Sequence, residues 1–286
     1  MTQVLEHKEQ IPKTVFSLLG ACSMAKLAML HFLHTYSMIV HLYTLCWNEM
    51  AALPFVVDYW KRFVTHAWVY DNGSDDGSVE YLKQFDWITV DSFATEGMND
   101  TVHMNMKNNV WKASRGRADY VYVCDMDEML YAQDIECQLK YMKDNGYTMA
   151  RLKWYDFISE SMPVYEEGKL LHETCKRAIY NVQGKPGMLF DPNKIEETNF
   201  APGSHSCVPV GDVKWYDGDI YVLHLNHHLG LEHYLARYKA MNARQSEENK
   251  RRHFSIHYKF PEEKLVSDYR ADLARSVDFN AVVSKL

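Results

Sequence analysis

Four short apolar runs between residues 38 and 125 constrain the fold of this chain most. They are MIVHLYTLC (38–46), THAWVYD (65–71), WITV (87–90) and ADYVYVCD (118–125). Between them lie NEMAALPFVVDYWKRF, with apolar residues at helical spacing, SVEYLKQF, which opens after the turn-rich DNGSDDGS, and DTVHMNMKNNVWKASRG (100–116), a helix expected to stop at Gly116. Strands alternating with helices imply an α/β fold with a mostly parallel central sheet. In such sheets ligands bind beyond the carboxyl ends of the strands. Here those ends carry Asn48 and Glu49, then Asp71 to Ser74, then Asp125 to Asp127.

After residue 130 the pattern loosens. IECQLKYMKDNG reads as a helix, YTMARLKWYDF and CKRAIYNV as strands, and IYVLHLNHH as a strand leading into the helix LEHYLARYKAMNARQSEENKRR. With 286 residues, 47% of them hydrophobic, the chain can bury a large core. A net charge of −7, with no basic run longer than KRR, excludes a duplex nucleic-acid binder, which needs a basic face. The six cysteines form no CxxC pair and no zinc-ligand spacing, and they read as reduced thiols of a cytoplasmic protein. Residues 1–37 contain no uninterrupted run of the ~18–20 apolar residues that span a bilayer. They read as a leader or a packed N-terminal helix that could touch a membrane surface.

The pair Asp125 and Asp127 offers the hard oxygen ligands that Mg²⁺ or Mn²⁺ takes when it bridges protein and diphosphate. Taken alone, Asp-x-Asp equally suits a phosphoryl-accepting nucleophile with its acid, or a solvated strand end. DNGSDDGS is by composition a turn, but it follows a strand in a parallel sheet. That position puts Asp71 where a base or ribose would hydrogen-bond.

With both motifs in view, the chain resembles the GT-A nucleotide-sugar-dependent glycosyltransferases, in particular the family-2-like bacterial and viral enzymes. The matching stretches are LYTLCWNEMAALPFVVDYW, VYDNGSDDGS, KNNVWKASRGRADYVYVCDMDEMLY, PGSHSC and HLGLEHYLARYK. The resemblance implies a Rossmann-like GT-A domain over 38–250, with a C-terminal helical extension over 251–286. It implies a nucleoside pocket from Thr44, Asn48, Glu49 and Asp71, with Lys107, Asn108 and Arg115 reaching ribose or phosphate. Asp125 would orient ribose and metal, Asp127 would ligate Mn²⁺ or Mg²⁺, and His205 would contact metal or phosphate. The implied reaction moves a hexosyl or deoxyhexosyl group from a nucleoside-diphosphate sugar, UDP-linked by expectation, to a hydroxyl of a glycan or lipid-linked saccharide, with inversion.

The family's Glu-Asp-type base pair has no clear copy here. Asp156 and Glu160 are the nearest candidates, with Asp212, Asp217 and His205 behind them. His224, His227 and His228, beside Leu223 and Leu225, read as strand alternation with a structural role, and HYLARYKAM reads as core packing or a helix face. Two other functions compete: a haloacid-dehalogenase-like phosphatase, which shares the Asp-x-Asp strand end, and a nucleotide-sugar-binding module without chemistry.

Overall fold

The computed structural model describes residues 38–182, 187–204, 206–227 and 229–284. The expected leader at 1–37, His205 and His228 lie outside the described residues. Val40–Cys46 forms β1, buried along almost its whole length, as befits a strand paired on both edges and covered on both faces. It pairs in parallel with β2 (His66–Asp71) and β4 (Tyr120–Asp125), and β2 pairs in parallel with β3 (Ile88–Ser92). The crossovers run through α1 (Leu53–Trp60), α2 (Ser78–Leu82) and α3 (Asp100–Asn109). The lateral order β3-β2-β1-β4 reverses at the β1/β4 junction, the switch point where open α/β sheets leave a crevice.

These elements match the sequence expectation closely, with two departures. Helix α1 begins only at Leu53, with Pro54 in its first turn, because the preceding residues form a loop. The helix expected over 100–116 leaves α geometry after Asn109 and continues as a 3₁₀ turn, Val110–Ser114, before Gly116 at φ +71°.

Downstream lie β5 (Glu128–Tyr131), α4 (Ile135–Asp144), β6 (Met149–Ala150), β7 (Lys153–Ile158), α5 (Leu171–Thr174), β8 (Arg177–Tyr180), β9 (Leu189–Phe190), β10 (Ile195–Glu197), β11 (Val210–Gly211), β12 (Trp215–Tyr216) and β13 (Tyr221–His227). The C-terminal part adds α6 (Leu231–Ala243), α7 (Glu247–Arg252), α8 (Glu262–Arg275), β14 (Val277–Asp278) and α9 (Phe279–Val283). β9, β6 and β12 extend the first sheet beyond β4, while a second sheet runs β14-β8-β7-β13-β5. The architecture is mixed α/β with a mostly parallel central sheet flanked by helices.

Two expected elements divide. The strand expected over 147–157 splits between the two sheets, with Met149–Ala150 in the first and Lys153–Ile158 in the second. The helix expected over 231–252 breaks where its backbone bonds elsewhere. Met98 N donates to Arg244 O at 2.7 Å, Ser246 N donates to Met98 O at 3.0 Å, and Ser246 then caps α7 by accepting from Asn249 N at 3.2 Å. These bonds clip the end of α6 to the loop that opens α3.

Residues from the tail enter the core. Leu265 and Tyr269 of α8 pack with Tyr234 and Tyr238 of α6. β14 pairs with β8, and Phe279 is fully buried among Tyr131, Tyr155, Phe157 and Tyr221. Phe279→Ala is therefore expected to lower the unfolding free energy by about 3–5 kcal/mol in urea denaturation. A loss below about 1 kcal/mol would place the tail outside the core. Cys46, Cys124, Cys137, Cys175 and Cys207 are free thiols. No helix among the described residues is long and apolar enough to cross a membrane.

Candidate active site

A cleft of about 280 Å³ opens beyond the carboxyl ends of β1, β2 and β4. Its near wall comes from the loops after β1 and β2, which are bonded together by the polar side chains of DNGSDDGS. Asn48 N donates to Ser74 Oγ (2.9 Å), Glu49 N to Ser78 Oγ (2.9 Å) and Met50 N to Asp76 Oδ2 (2.9 Å), while Asn48 Nδ2 donates to Asp75 Oδ1 (2.7 Å). Asn48 takes φ +52°, a left-handed conformation that asparagine tolerates better than most residues. Asp71 is buried and accepts from Gly73 N (3.0 Å) and Ser74 N (3.1 Å), so its carboxylate holds the turn. Its neighbour Asn72 lines the cleft instead.

The Asp-x-Asp segment is where the chain changes sheets. Asp125 ends β4 in the first sheet and Glu128 opens β5 in the second, leaving Met126 and Asp127 as the junction. Across the second sheet, His224 on β13 stands in register with Glu128 on one side and Asp156 on β7 on the other. His224 Nδ1 donates to Asp156 Oδ1 at 2.7 Å, and its Nε2 lies 3.6 Å from Asp127 Oδ2. Asp156 also accepts from Trp154 Nε1 (3.0 Å) and Asn181 Nδ2 (2.9 Å). Glu128, with no exposed surface, accepts from Asp125 N at 2.8 Å.

Three cations meet these carboxylates. Lys107, buried at the end of α3, ion-pairs with Asp125. Arg237 of α6 donates to both oxygens of Glu49, at 2.6 and 2.8 Å, and its Nη2 lies 3.9 Å from Asp127 Oδ2. His224 is the third. Burial disfavours its charged ring, but Asp127 and Asp156 outweigh burial and raise the imidazole to about 10. Burial also acts against the Asp127 carboxylate, yet His224 and Arg237 hold it well below the usual range. Glu49 is pushed up to about 7 by burial, against the lowering effect of Arg237.

A proton kept by native His224, where an unfolded histidine has lost its own, stabilises the fold fully below the unfolded pKa of ~6.5. That contribution disappears as pH rises through about 10. In metal-free protein the unfolding free energy is expected to fall between these limits, by up to about 1.4 kcal/mol per pH unit. His224→Gln should lack that component; identical profiles for the two proteins would mean that the native ring is neutral.

Of the residues singled out from sequence, Glu49, Lys107, Asp125 and Asp127 line the cleft together. Thr44 is buried behind it, its hydroxyl 3.5 Å from Leu45 O. Arg115 does not line the cleft; its guanidinium lies over the Trp111 ring and donates to the carbonyls of Pro192, Ile195 and Glu196, stapling that segment. Asn108 binds Thr198 Oγ and Phe200 N, anchoring the chain just before Gly203 and Ser204, which do line the cleft. Glu160 is largely exposed, 3.9 Å from Arg177, and Asp212 and Asp217 are exposed. His205 lies outside the described residues.

His224, read from sequence as structural, faces the cleft, as do Trp47, His103, Arg237 and Arg244. The alternation around His224 did show that it points away from Leu223 and Leu225. It could not show that the other side was a cleft.

No protein-family model and no curated protein matches the sequence. Among solved structures, residues 1–349 of S. aureus TarS overlap at 9% identity and a TM-score of 0.40, covering 72% of this chain and 65% of that one. A longer S. aureus TarS structure gives 9% identity and a TM-score of 0.41, over 81% of this chain and 43% of that one. The 1–349 form in complex with UDP-GlcNAc gives 9% and 0.39, over 72% and 66%. The chain thus spans about two thirds of the shorter TarS structures and under half of the longer one. Likeness at this level carries no functional argument.

Proposed function

We propose that this chain is a GT-A-type glycosyltransferase that moves a sugar from a nucleoside-diphosphate donor to a hydroxyl of a saccharide acceptor. One observation carries the reading: at the switch point of the parallel sheet, paired carboxylates converge on a single cleft with buried Lys107 and the half-buried cations His224 and Arg237, an arrangement suited to a phosphorylated ligand. The resemblance in sequence adds a UDP-linked donor and inversion at the anomeric carbon.

The donor set suits a divalent cation. Asp127, Glu128 and His224 each offer a ligand atom within 4.8 Å of one another. A ligating His224 would give up its Nε2 proton and be neutral, so Glu49, Asp125, Asp127, Glu128 and Asp156, counted as ionised, would face the two cations Lys107 and Arg237, an excess of three negative charges for the ion to offset. A bound Mn²⁺ or Mg²⁺ would supply charge neutralisation for the departing diphosphate. The chain's own residues do the remaining work. Lys107 fixes the Asp125 carboxylate, which would orient the ribose. Arg237 ties the β1 loop to the wall carrying Asp127. Asp156 has hydrogen bonds at both oxygens, and its proposed role becomes holding the His224 ring rather than receiving the acceptor proton.

The test is a panel of nucleotide sugars incubated with the protein and Mn²⁺. Release of a nucleoside diphosphate from at least one donor is expected, with no release in the Asp127→Ala variant. Release of inorganic phosphate in its place would indicate a phosphatase. Binding without turnover with any acceptor would indicate a module without chemistry.

A further inference from the structure

Two arginines on one side of the cleft bear on which part of a donor binds where. Arg237 and Arg244 are seven residues apart, close to two helical turns, so they share a face of α6 and its C-terminal cap and are separated by roughly 10 Å along the axis. They end in different chemistry. Arg237 meets Glu49 and Asp127 at the Asp-x-Asp end. Arg244 stacks over the Trp47 ring, 4.1 Å from its centroid, and its Nη2 donates to Asn72 O at 2.7 Å and to Asn72 Oδ1.

Arg244 is held in place from behind. Its backbone carbonyl accepts from Met98 N, and a Cβ at Gly97 would meet that same oxygen at 2.0 Å, so only glycine permits so close an approach. The cleft also holds an unsatisfied atom: His103 Nε2 is buried without a hydrogen-bond partner among the described residues. A buried polar atom left in this state is costly unless a ligand completes it.

We propose that Arg237 and Arg244 form a ruler for a nucleoside diphosphate, with the Trp47–Arg244 stack receiving the nucleoside and Arg237 the terminal phosphate. The span between them is comparable to that between the base and the terminal phosphate of an extended nucleoside diphosphate. His103 Nε2 is then available to a ribose hydroxyl. A flat guanidinium lying on an indole presents a surface on which a base can stack. The second guanidinium, beside Asp127, is placed for charge-assisted bonds to phosphate. A nucleoside monophosphate reaches one end only, so the two arginines discriminate by length.

The inference rests on the donor reading above, and calorimetry separates the two. The ligands are the nucleoside, monophosphate and diphosphate of whichever base the wild-type protein binds best among uracil, guanine, cytosine and thymine, with Mn²⁺ present. Arg244→Lys is expected to weaken all three by a similar factor, roughly tenfold, leaving the diphosphate-to-monophosphate affinity ratio unchanged. Removing Arg237 alone would strand buried Glu49, so the informative variant is Glu49→Gln with Arg237→Gln, which keeps a hydrogen-bonded pair; Arg237→Lys is the second. Both are expected to lower the diphosphate-to-monophosphate ratio by roughly tenfold or more while sparing the nucleoside. An unmoved ratio in the Arg237 variants, or unmoved affinities in Arg244→Lys, overturns the ruler and leaves the donor reading standing. Wild-type protein that binds no nucleoside diphosphate overturns both.

Discussion

Asp127→Ala is expected to abolish sugar transfer, with a loss of at least roughly a thousandfold and a folded protein remaining. The size of the effect follows from position. Asp127 sits at the junction between sheets, where it faces both His224 Nε2 and Arg237 Nη2. Removing its charge takes away a ligand atom from the Asp127, Glu128 and His224 group and the anion that balances two cations. The fold should tolerate the change, because His224 keeps Asp156 and Arg237 keeps Glu49 as partners. Steady-state transfer assays with a Mn²⁺ titration check the first part, and circular dichroism the second. Wild-type turnover in this variant, or in excess chelator, would exclude the metal reading.

Asp156→Asn is expected to lower transfer by about 10- to 100-fold, whereas Glu160→Gln stays within about twofold of wild type. The Asp156 carboxylate accepts from His224, Trp154 and Asn181 together. An amide in its place must aim a donor at one of those donors, so the His224 ring loses its orientation. Glu160 is exposed at the surface, where among the described residues it makes a long contact to Arg177. A positioning role for Asp156 predicts that the loss comes with weaker Mn²⁺ dependence and nucleotide binding. Asp156 as the base would instead remove a limb of the pH–rate profile and leave nucleotide binding unchanged. Normal transfer by Asp156→Asn would exclude both roles.

The pattern of strands and helices over residues 38–125 was legible because each element there carries its own periodicity and its own stop. Asn99, for example, caps α3 by accepting from Val102 N at 3.1 Å. The errors fell where a segment's fate depends on a distant partner. Residues 147–157 look uniformly strand-like, yet they feed two sheets. Residues 231–252 look uniformly helical, yet the backbone at Arg244–Ser246 bonds to Met98.

The site divides along the same line. Sequence alone determined that carboxylates would gather at the carboxyl end of a parallel sheet, because strand order and strand-end composition are local properties. It thereby placed Glu49, Asp125 and Asp127 together, while Lys107, on a helix, came only from the family resemblance. Only the tertiary structure decided what surrounds them. His224 becomes a site residue through lateral register with Glu128 and Asp156 across three strands, and register between strands far apart in sequence leaves no mark on any one of them. Arg237 reaches Glu49 across 188 positions of chain, and Arg244 reaches Asn72 across 172. In sequence both are charged residues on a helix, which is what a solvated face also looks like. Asp71 and Arg115 show the converse: a charge that suggests a ligand from its local setting is taken up by backbone groups of the fold, because burial demands a partner and the nearest amides or carbonyls provide it.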